Sequence, residues 1–186
     1  MRSKLFILPA WCSLALAVPS TAGEQLAWLR TASPDGAFSV ETPCSAEEVD
    51  RGRALPVDIV GRGINLPVSR RVICPSRNIV LVAGVVEEPR LPKNGPSLFD
   101  GLLMAGKDNP KGNKGTPTIT TISGHRAWLN RAQEGGEVAQ VGYVEIGHAR
   151  MIFAHCCGAP SRAGVSKDEQ VAMIDHFFGS IQVDKK

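Results

Sequence analysis

The sequence lacks the motifs by which most enzymes are recognised. It contains no G-x-S-x-G nucleophile elbow, no H-E-x-x-H zinc helix and no phosphate-binding loop. Gly61-Arg62-Gly63 lacks the lysine and the helix that would complete such a loop. No two cysteines have the C-x-x-C spacing that is typical of a metal site. The sequence therefore predicts no catalytic residue, no metal and no cofactor.

A strong excess of one charge is also missing. The chain has 21 basic and 18 acidic residues, and Arg2 and Lys4 lie in the N-terminal leader, which leaves 19 minus 18, or +1, for the rest. Aromatic residues make up 5% of the chain. These values do not favour nucleic acid or an anionic membrane as a partner. The only basic stretch contains the arginines at positions 51, 53, 62, 70 and 71, and we interpret it as solvated surface.

The first 22 residues are typical of a secretory signal peptide. Met1 to Lys4 carries two cations, and Leu5 to Val18 is almost wholly apolar. Ser20-Thr21-Ala22 provides small residues at the spacing that signal peptidase accepts. We therefore expect a signal peptide at 1–22, a single domain at 23–186, and a periplasmic or secreted protein.

A membrane anchor is the alternative interpretation of the leader. Its apolar run is shorter than the roughly 20 residues that cross a bilayer, and Pro9 interrupts it. Lipidation of Cys12 is disfavoured because the bulky Trp11 precedes it. We expect no membrane span after cleavage.

Several segments of the mature sequence predict strands. Leu26 to Thr31 and Ala37 to Glu41 flank a proline-glycine turn and predict a hairpin that opens the sheet. Leu66 to Cys74 and Asn78 to Val86 predict two further strands. The second is continuously apolar, which indicates a strand covered on both faces. Glycine-containing turns separate the strands of a predicted antiparallel meander: Thr118 to Ile122, Ala127 to Ala132, Val138 to Ile146 and Ala149 to Cys156.

Two helices are predicted. Asn94 to Ser97 has the composition of a helix start, and an apolar face follows it up to Gly106. Ser166 to Glu169 forms a capping box that opens a second helix, which ends at Gly179 before a short final strand at Ser180 to Val183. Ser45 to Ala54 is compatible with a short helix or a loop. These elements predict an α+β fold, a mainly antiparallel sheet with helices packed on it.

The sequence also resembles a known family. Asp35 to Pro43, the meander entered through Ile122-Ser123-Gly124, and the closing Asp175-His176-Phe177-Phe178-Gly179-Ser180-Ile181 resemble small secreted bacterial proteins with the PsbP-like α/β/α sandwich. The matching residues make turns and core. The resemblance implies the fold and a non-enzymatic accessory or binding role, and it transfers no functional residue.

Four cysteines remain after the leader, and an even number in an exported chain favours disulfides. Cys44 and Cys74 both lie at predicted strand ends, so we predict a disulfide between them. Four cysteines allow three pairings, and two buried thiols are the alternative state of this pair.

Cys156 and Cys157 are adjacent, so they point to opposite faces of a strand. Buried thiols are the interpretation we favour. A redox switch, an intermolecular bridge, or a metal site with His148 or His155 are the alternatives. A nucleophilic pair of Cys156 and His155 is disfavoured because neighbours on a strand face apart.

The remaining histidines and two tryptophans predict no site. We expect His125 to be exposed in a turn and His176 to lie at the edge of the buried stripe of the last helix. Trp28 and Trp128 each lie in an apolar strand pattern, so we interpret them as core residues rather than as a sugar-binding platform.

Three functions are compatible with these observations. We favour a non-catalytic accessory or binding module of the cell envelope, whose partner is an unknown envelope protein or small ligand. The first alternative is a thiol-dependent redox or enzymatic protein that uses Cys156 and Cys157. The second is a structural envelope protein that associates with itself.

Overall fold

The computed structural model describes residues 27–45, 47–50, 55–58, 65–76, 79–108, 115–134, 137–157 and 166–184. Within these residues there are ten strands and two helices. The predicted signal peptide lies outside them. The strands are β1 (Leu29–Ala32), β2 (Phe38–Thr42), β3 (Leu55–Asp58), β4 (Asn65–Ser76), β5 (Ile79–Glu87), β6 (Gly115–Ile122), β7 (His125–Glu134), β8 (Glu137–Gly147), β9 (Arg150–Cys157) and β10 (Gln182–Val183). The helices are α1 (Leu98–Asp108) and α2 (Lys167–Gly179).

Seven strands form one antiparallel sheet in the order β3-β4-β5-β9-β8-β7-β6. The apolar strand β5 lies inside the sheet, between β4 and β9, and the polar strand β6 lies at one edge. The predicted α+β fold with a mainly antiparallel sheet is confirmed. No helix in the described ranges is both long and apolar enough to cross a bilayer.

The two helices cover opposite faces of this sheet. Alternate residues of β5 face the two sides: Leu81 and Val85 pack in the core that contains α2, and Val86 packs in the core that contains α1. Both faces of β5 are therefore covered, which explains its continuous apolar sequence. The main chain of the seven-stranded sheet forms the middle layer between the helices.

The predicted N-terminal hairpin forms, but it does not belong to the large sheet as we expected. Strands β1, β2 and β10 make a separate three-stranded sheet. Phe38 and Val40 of β2 are fully buried in the core on the α2 side. Strand β10 pairs with β2 because the chain returns there after α2, with Val183 opposite Phe38. This pairing of sequence-distant strands had no signal in the local pattern.

Helix α2 begins and ends where the sequence predicts. The Ser166 side chain accepts from the Glu169 N–H at 3.2 Å, and Glu169 accepts from the Ser166 N–H at 2.7 Å. This is the capping box that the sequence predicted. Met173, Ile174 and Phe177 then face the sheet.

Two predicted segments have different boundaries. Helix α1 starts at Leu98 and continues past the predicted end at Gly106 to Asp108. In the described part of the segment from Ser45 to Ala54, a turn is followed by a single bridge between Asp50 and Ile73. Strand β3 was not predicted. Most of the predicted loop from Lys107 to Gly115 lies outside the described residues.

Candidate functional site

A cavity of about 200 Å³ opens between α1 and the sheet. We call it the α1 pocket. Its lining is almost wholly apolar. Helix α1 contributes one face of its turns: Leu98, Gly101, Leu102 and Ala105. The sheet and the loop before the helix contribute the rest: Leu66, Leu91, Pro96, Ser97 and Met151.

The start of α1 is fixed by its own cap. The Ser97 hydroxyl accepts from the Asp100 N–H at 3.1 Å and donates to Asp100 Oδ2 at 2.8 Å. This arrangement satisfies N–H groups that the first turn of a helix leaves without intrahelical partners. It also engages the only polar side chain of the pocket lining.

The turn between β8 and β9 connects the elements that surround the α1 pocket. The Leu98 N–H donates to the His148 carbonyl at 2.8 Å, which joins α1 to this turn. His148 Nε2 lies 2.9 Å from the Pro92 carbonyl, to which it donates. The Glu88 N–H donates to the Ala149 carbonyl at 3.0 Å. The loop and the helix therefore both attach to one turn of the sheet.

A charged cluster stands beside α1. Arg126 contacts Asp100 at 3.0 Å and Glu145 at 2.6 Å, and its guanidinium lies 5.0 Å from the centre of the Phe99 ring. Hydrogen bonds from Ser97 and Arg126 lower the pKa of Asp100, and those from Arg126 lower the pKa of Glu145. Arg126 bridges the two carboxylates, so the cluster anchors α1 to β7 and β8.

The described lining of the α1 pocket contains no side chain typical of a catalytic or metal site. None of its nine lining residues is an acid, a base or a thiol. The Ser97 hydroxyl donates to the Asp100 carboxylate, which already serves the helix cap. The lining is suited to an apolar group.

The structure places Cys44 and Cys74 at bonding distance. Their sulfur atoms are 1.98 Å apart, their Cα atoms are 5.7 Å apart, and 30 positions separate them in sequence. Both residues are buried in the core on the α2 side. The pairing agrees with the one predicted from their positions at strand ends.

Cys156 lies in the same core and is 2% exposed. It pairs with Leu81 across β5 and β9, and Leu81 pairs with Cys74 across β4 and β5. The backbone of Cys157 continues β9, and its side chain lies outside the described set. Burial on this side of the sheet does not favour the accessible thiol that a redox sensor needs.

His155 lies on the opposite face of β9 from Cys156, as the strand alternation requires. Its ring centre is 6.2 Å from that of Phe153, and it is half-buried. Burial lowers the pKa of His155. The geometry therefore separates the two members of the Cys-His pair, which the sequence analysis disfavoured for the same reason.

The other predicted histidines and tryptophans are not brought together at the α1 pocket. Trp128 is buried in the core on the α1 side. Trp28 is only partly buried and packs against His176, with ring centres 4.0 Å apart. His176 is 42% exposed and contacts Glu41 at 2.7 Å. His125 is half-buried at the start of β7 rather than exposed in a turn, because the turn itself ends at Gly124.

The two described arginines of the basic stretch are paired with carboxylates. Arg70 contacts Asp35 at 3.2 Å and Glu87 at 2.7 Å, and Arg71 contacts Asp50 at 3.3 Å. Arg71 is 6% exposed, so the prediction of a solvated surface is wrong for this residue. Its side chain is buried where β4 packs. The side chains at 51, 53 and 62 lie outside the described set.

Across the described ranges, no group of three or more potential ligands could hold a metal ion.

Sequence reasoning did not find the α1 pocket. Its walls come from β4, the loop 88–97, α1 and β9, which only the fold brings together. One local signal was available. Gly101 and Ala105 place two small residues one turn apart on the predicted helix, and small residues at that spacing leave room on one face.

Comparisons with known proteins assign no family. No family model and no curated protein matches the chain. Among solved structures, the chain is similar to the solution structure of cyanobacterial PsbP (CyanoP) from Synechocystis sp. PCC 6803, with a TM-score of 0.46 and 14% identity. The match covers 90% of this chain and 99% of that one. At this level of similarity we transfer neither a function nor a residue.

Proposed function

We propose that the protein is an exported, non-catalytic binding module whose α1 pocket receives one small apolar group. The observation that carries the proposal is the apolar cavity of about 200 Å³ between α1 and the sheet. This apolar group belongs either to a small ligand or to a side chain of a partner protein of the cell envelope. Both would present the same kind of apolar surface to the pocket.

The size of the pocket limits its occupant. An engineered protein cavity of about 150 Å³ holds a benzene molecule, whereas sites for drug-sized ligands measure roughly 300 to 1,000 Å³. A volume of about 200 Å³ therefore suits a single aromatic ring or a branched alkyl group. A complete lipid chain or a cofactor is too large.

Gly101 supports a role for this open space. It lies inside α1, where glycine costs about 1 kcal/mol relative to alanine. A Cβ at this position would contact nothing within 4 Å, so packing does not require the glycine. Its absent side chain instead keeps one wall of the α1 pocket clear. The helix is therefore less stable with glycine at position 101 than it would be with alanine, and this position borders the open pocket.

Filling the pocket tests the proposal. We expect toluene, titrated into labelled protein, to shift the amide signals of residues that line the α1 pocket. Gly101→Leu should abolish these shifts because its side chain projects along the pocket wall, while Gly101→Ala should retain them. Equal binding by the two variants, or shifts scattered over the surface, would contradict the proposal.

A second experiment distinguishes the two sources of the apolar group. A photo-crosslinking amino acid at Ala105 should capture a protein in intact cells if the group is a partner's side chain. Mass spectrometry of the native protein should detect a co-purifying small molecule if it is a free ligand. The same crosslinker at the exposed Met104 is the control, because Met104 does not line the pocket.

Export rests on separate support. The leader at 1–22 has the pattern of a signal peptide, and a cysteine pair at bonding distance is typical of oxidising compartments. Intact-mass analysis of protein from cell fractions should find the chain outside the cytoplasm, starting near Gly23. Recovery with Met1 still attached would contradict export and leave the binding proposal to its own tests.

A further inference from the structure

Strand β6 is an edge of the large sheet, and no other described strand pairs with its outer side. It is the last strand in the order, next to β7 only. Five consecutive residues at 117–121 are exposed, so neither face of this part of the strand is packed. Ile119 is 64% exposed, the most exposed large hydrophobic residue in the described ranges.

Natural proteins usually protect such an edge with charged side chains, because its unpaired backbone groups can bind another strand. Strand β6 reads GTPTITTI and carries no charge. Its residues are mainly β-branched, which favours strand pairing. Pro117 is the only protective residue in the exposed stretch.

The hairpin geometry identifies the outward backbone groups. Ser123 and Gly124 have φ of 52° and 77°, as in a type I′ turn, and Ile122 lies opposite His125. Positions flanking such a turn are hydrogen-bonded to each other, and bonded pairs then alternate along the ladder. Thr118 and Thr120 therefore bond to β7. The N–H and C=O groups of Ile119 and Thr121 point away from the sheet.

We propose that β6 pairs antiparallel with β6 of a second copy of this chain, with a two-fold axis at Thr120. This register places Ile119 of each copy opposite Thr121 of the other. Each outward N–H then meets an outward C=O. The large sheets of the two copies become continuous across the axis.

Three features of β6 favour a second copy over an unrelated strand. Without charge, two copies meet without electrostatic repulsion. Pro117, which lacks an N–H, falls opposite the partner's Ser123 in the turn, where no ladder bond is needed. The two Ile119 side chains become diagonal neighbours on one face, roughly 7 to 8 Å apart, within reach of each other. The most exposed hydrophobic residue is thereby covered by its own counterpart.

The expected dimer is weak, since a single strand pair buries less area than a standard interface. Analytical ultracentrifugation over roughly 10 to 500 μM should show a reversible monomer–dimer equilibrium. A single monomeric mass over this range would overturn the proposal. Species larger than a dimer would overturn it too, because they indicate head-to-tail pairing of β6 with the opposite edge, β3.

Two variants test the register. Ile119→Lys should abolish the dimer because it brings two like charges together across the axis. Met104→Lys adds the same charge at an exposed position of α1 and should leave the dimer intact. Thr121→Pro removes an outward N–H but no bond to β7, so it should also give a monomer. A dimer that survives Ile119→Lys, or one that Met104→Lys abolishes, would contradict pairing through β6.

Hydrogen exchange gives a test without mutation. The amides of Thr118 and Thr120 should be protected at all concentrations, because they bond to β7. Those of Ile119 and Thr121 should exchange fast in dilute samples and slowly in concentrated ones. Protection that does not depend on concentration would contradict the proposal. None of these outcomes depends on occupancy of the α1 pocket.

Discussion

Val68 and Val72 lie four residues apart on β4, yet they face opposite sides of the sheet. Val68 packs in the core with α1, and Val72 packs in the core with α2. Residues four apart on a regular strand share a face. The cause is a bulge between Ser69 and Val72, where Arg70 adopts a φ of 50°. One extra residue shifts every later side chain to the other face.

The bulge has a structural consequence at each end of β4. Before it, Leu66 reaches the α1 pocket. After it, Cys74 reaches Cys44 in the core on the α2 side. A regular strand could place only one of these two residues on its present face.

Gly84→Ala should destabilise the protein. Gly84 lies on β5 beside the bulge, and a Cβ there would overlap the Val68 side chain and lie 3.0 Å from the Ser69 carbonyl oxygen. Because the second contact is with backbone, it cannot be relieved by a rotamer change, and we expect a loss of about 1 to 3 kcal/mol. Urea unfolding, monitored by tryptophan fluorescence, measures this loss of stability.

Gly101→Ala is the matched control and should have the opposite sign. Its Cβ meets nothing within 4 Å, and replacing a helical glycine by alanine stabilises by about 0.5 to 1 kcal/mol. If the two substitutions changed the free energy of unfolding equally, the close packing at the bulge would not be the cause of the loss in Gly84→Ala.

Reduction of the Cys44–Cys74 bond should also destabilise the fold. The bond closes a loop of 30 positions, and loop-closure entropy gives roughly 3 to 4 kcal/mol for such a loop. Urea unfolding with and without a thiol reductant measures the difference. The double variant Cys44→Ser/Cys74→Ser should be less stable and insensitive to the reductant. A reductant effect of the same size in that variant would point to other thiols.

The sequence predicted elements whose cause is local. Helix α2 was predicted because Ser166 and Glu169 complete each other's hydrogen bonds within one turn. Strand β5 was predicted because burial on both faces leaves no place for polar residues. The cysteine pairing followed from two positions at strand ends.

Features that depend on distant residues were not predictable in the same way. The bulge at Arg70 leaves no specific pattern, since three consecutive polar residues at 69–71 are equally typical of a turn or a loop. The separate small sheet depends on β10 reaching β2 after more than a hundred intervening residues. The α1 pocket is an empty space between elements. Hydrophobic patterns in a sequence indicate which side chains are buried, but not where the packing between elements leaves a cavity.

Acid should weaken the attachment of the small sheet to the bulge. Asp35, in the turn between β1 and β2, contacts Arg70 at 3.2 Å and Arg150 at 3.5 Å. Burial would raise the pKa of Asp35, but hydrogen bonds from Ser33 and the Ala37 N–H and the charge of Arg70 lower that pKa overall.

The direction of this shift fixes the pH dependence. A carboxyl whose folded pKa is below its unfolded value stabilises the fold above the unfolded pKa, and the contribution is lost as pH falls through the folded pKa. For Asp35 the loss should occur below about pH 4. Asp35→Asn should therefore be less stable than the parent at pH 7, and the difference should shrink as pH falls below about 4. Asp184→Asn, at an exposed position after β10, is the matched control. A constant stability difference between Asp35→Asn and the parent from pH 7 to pH 2 would show that the charge of Asp35 contributes nothing.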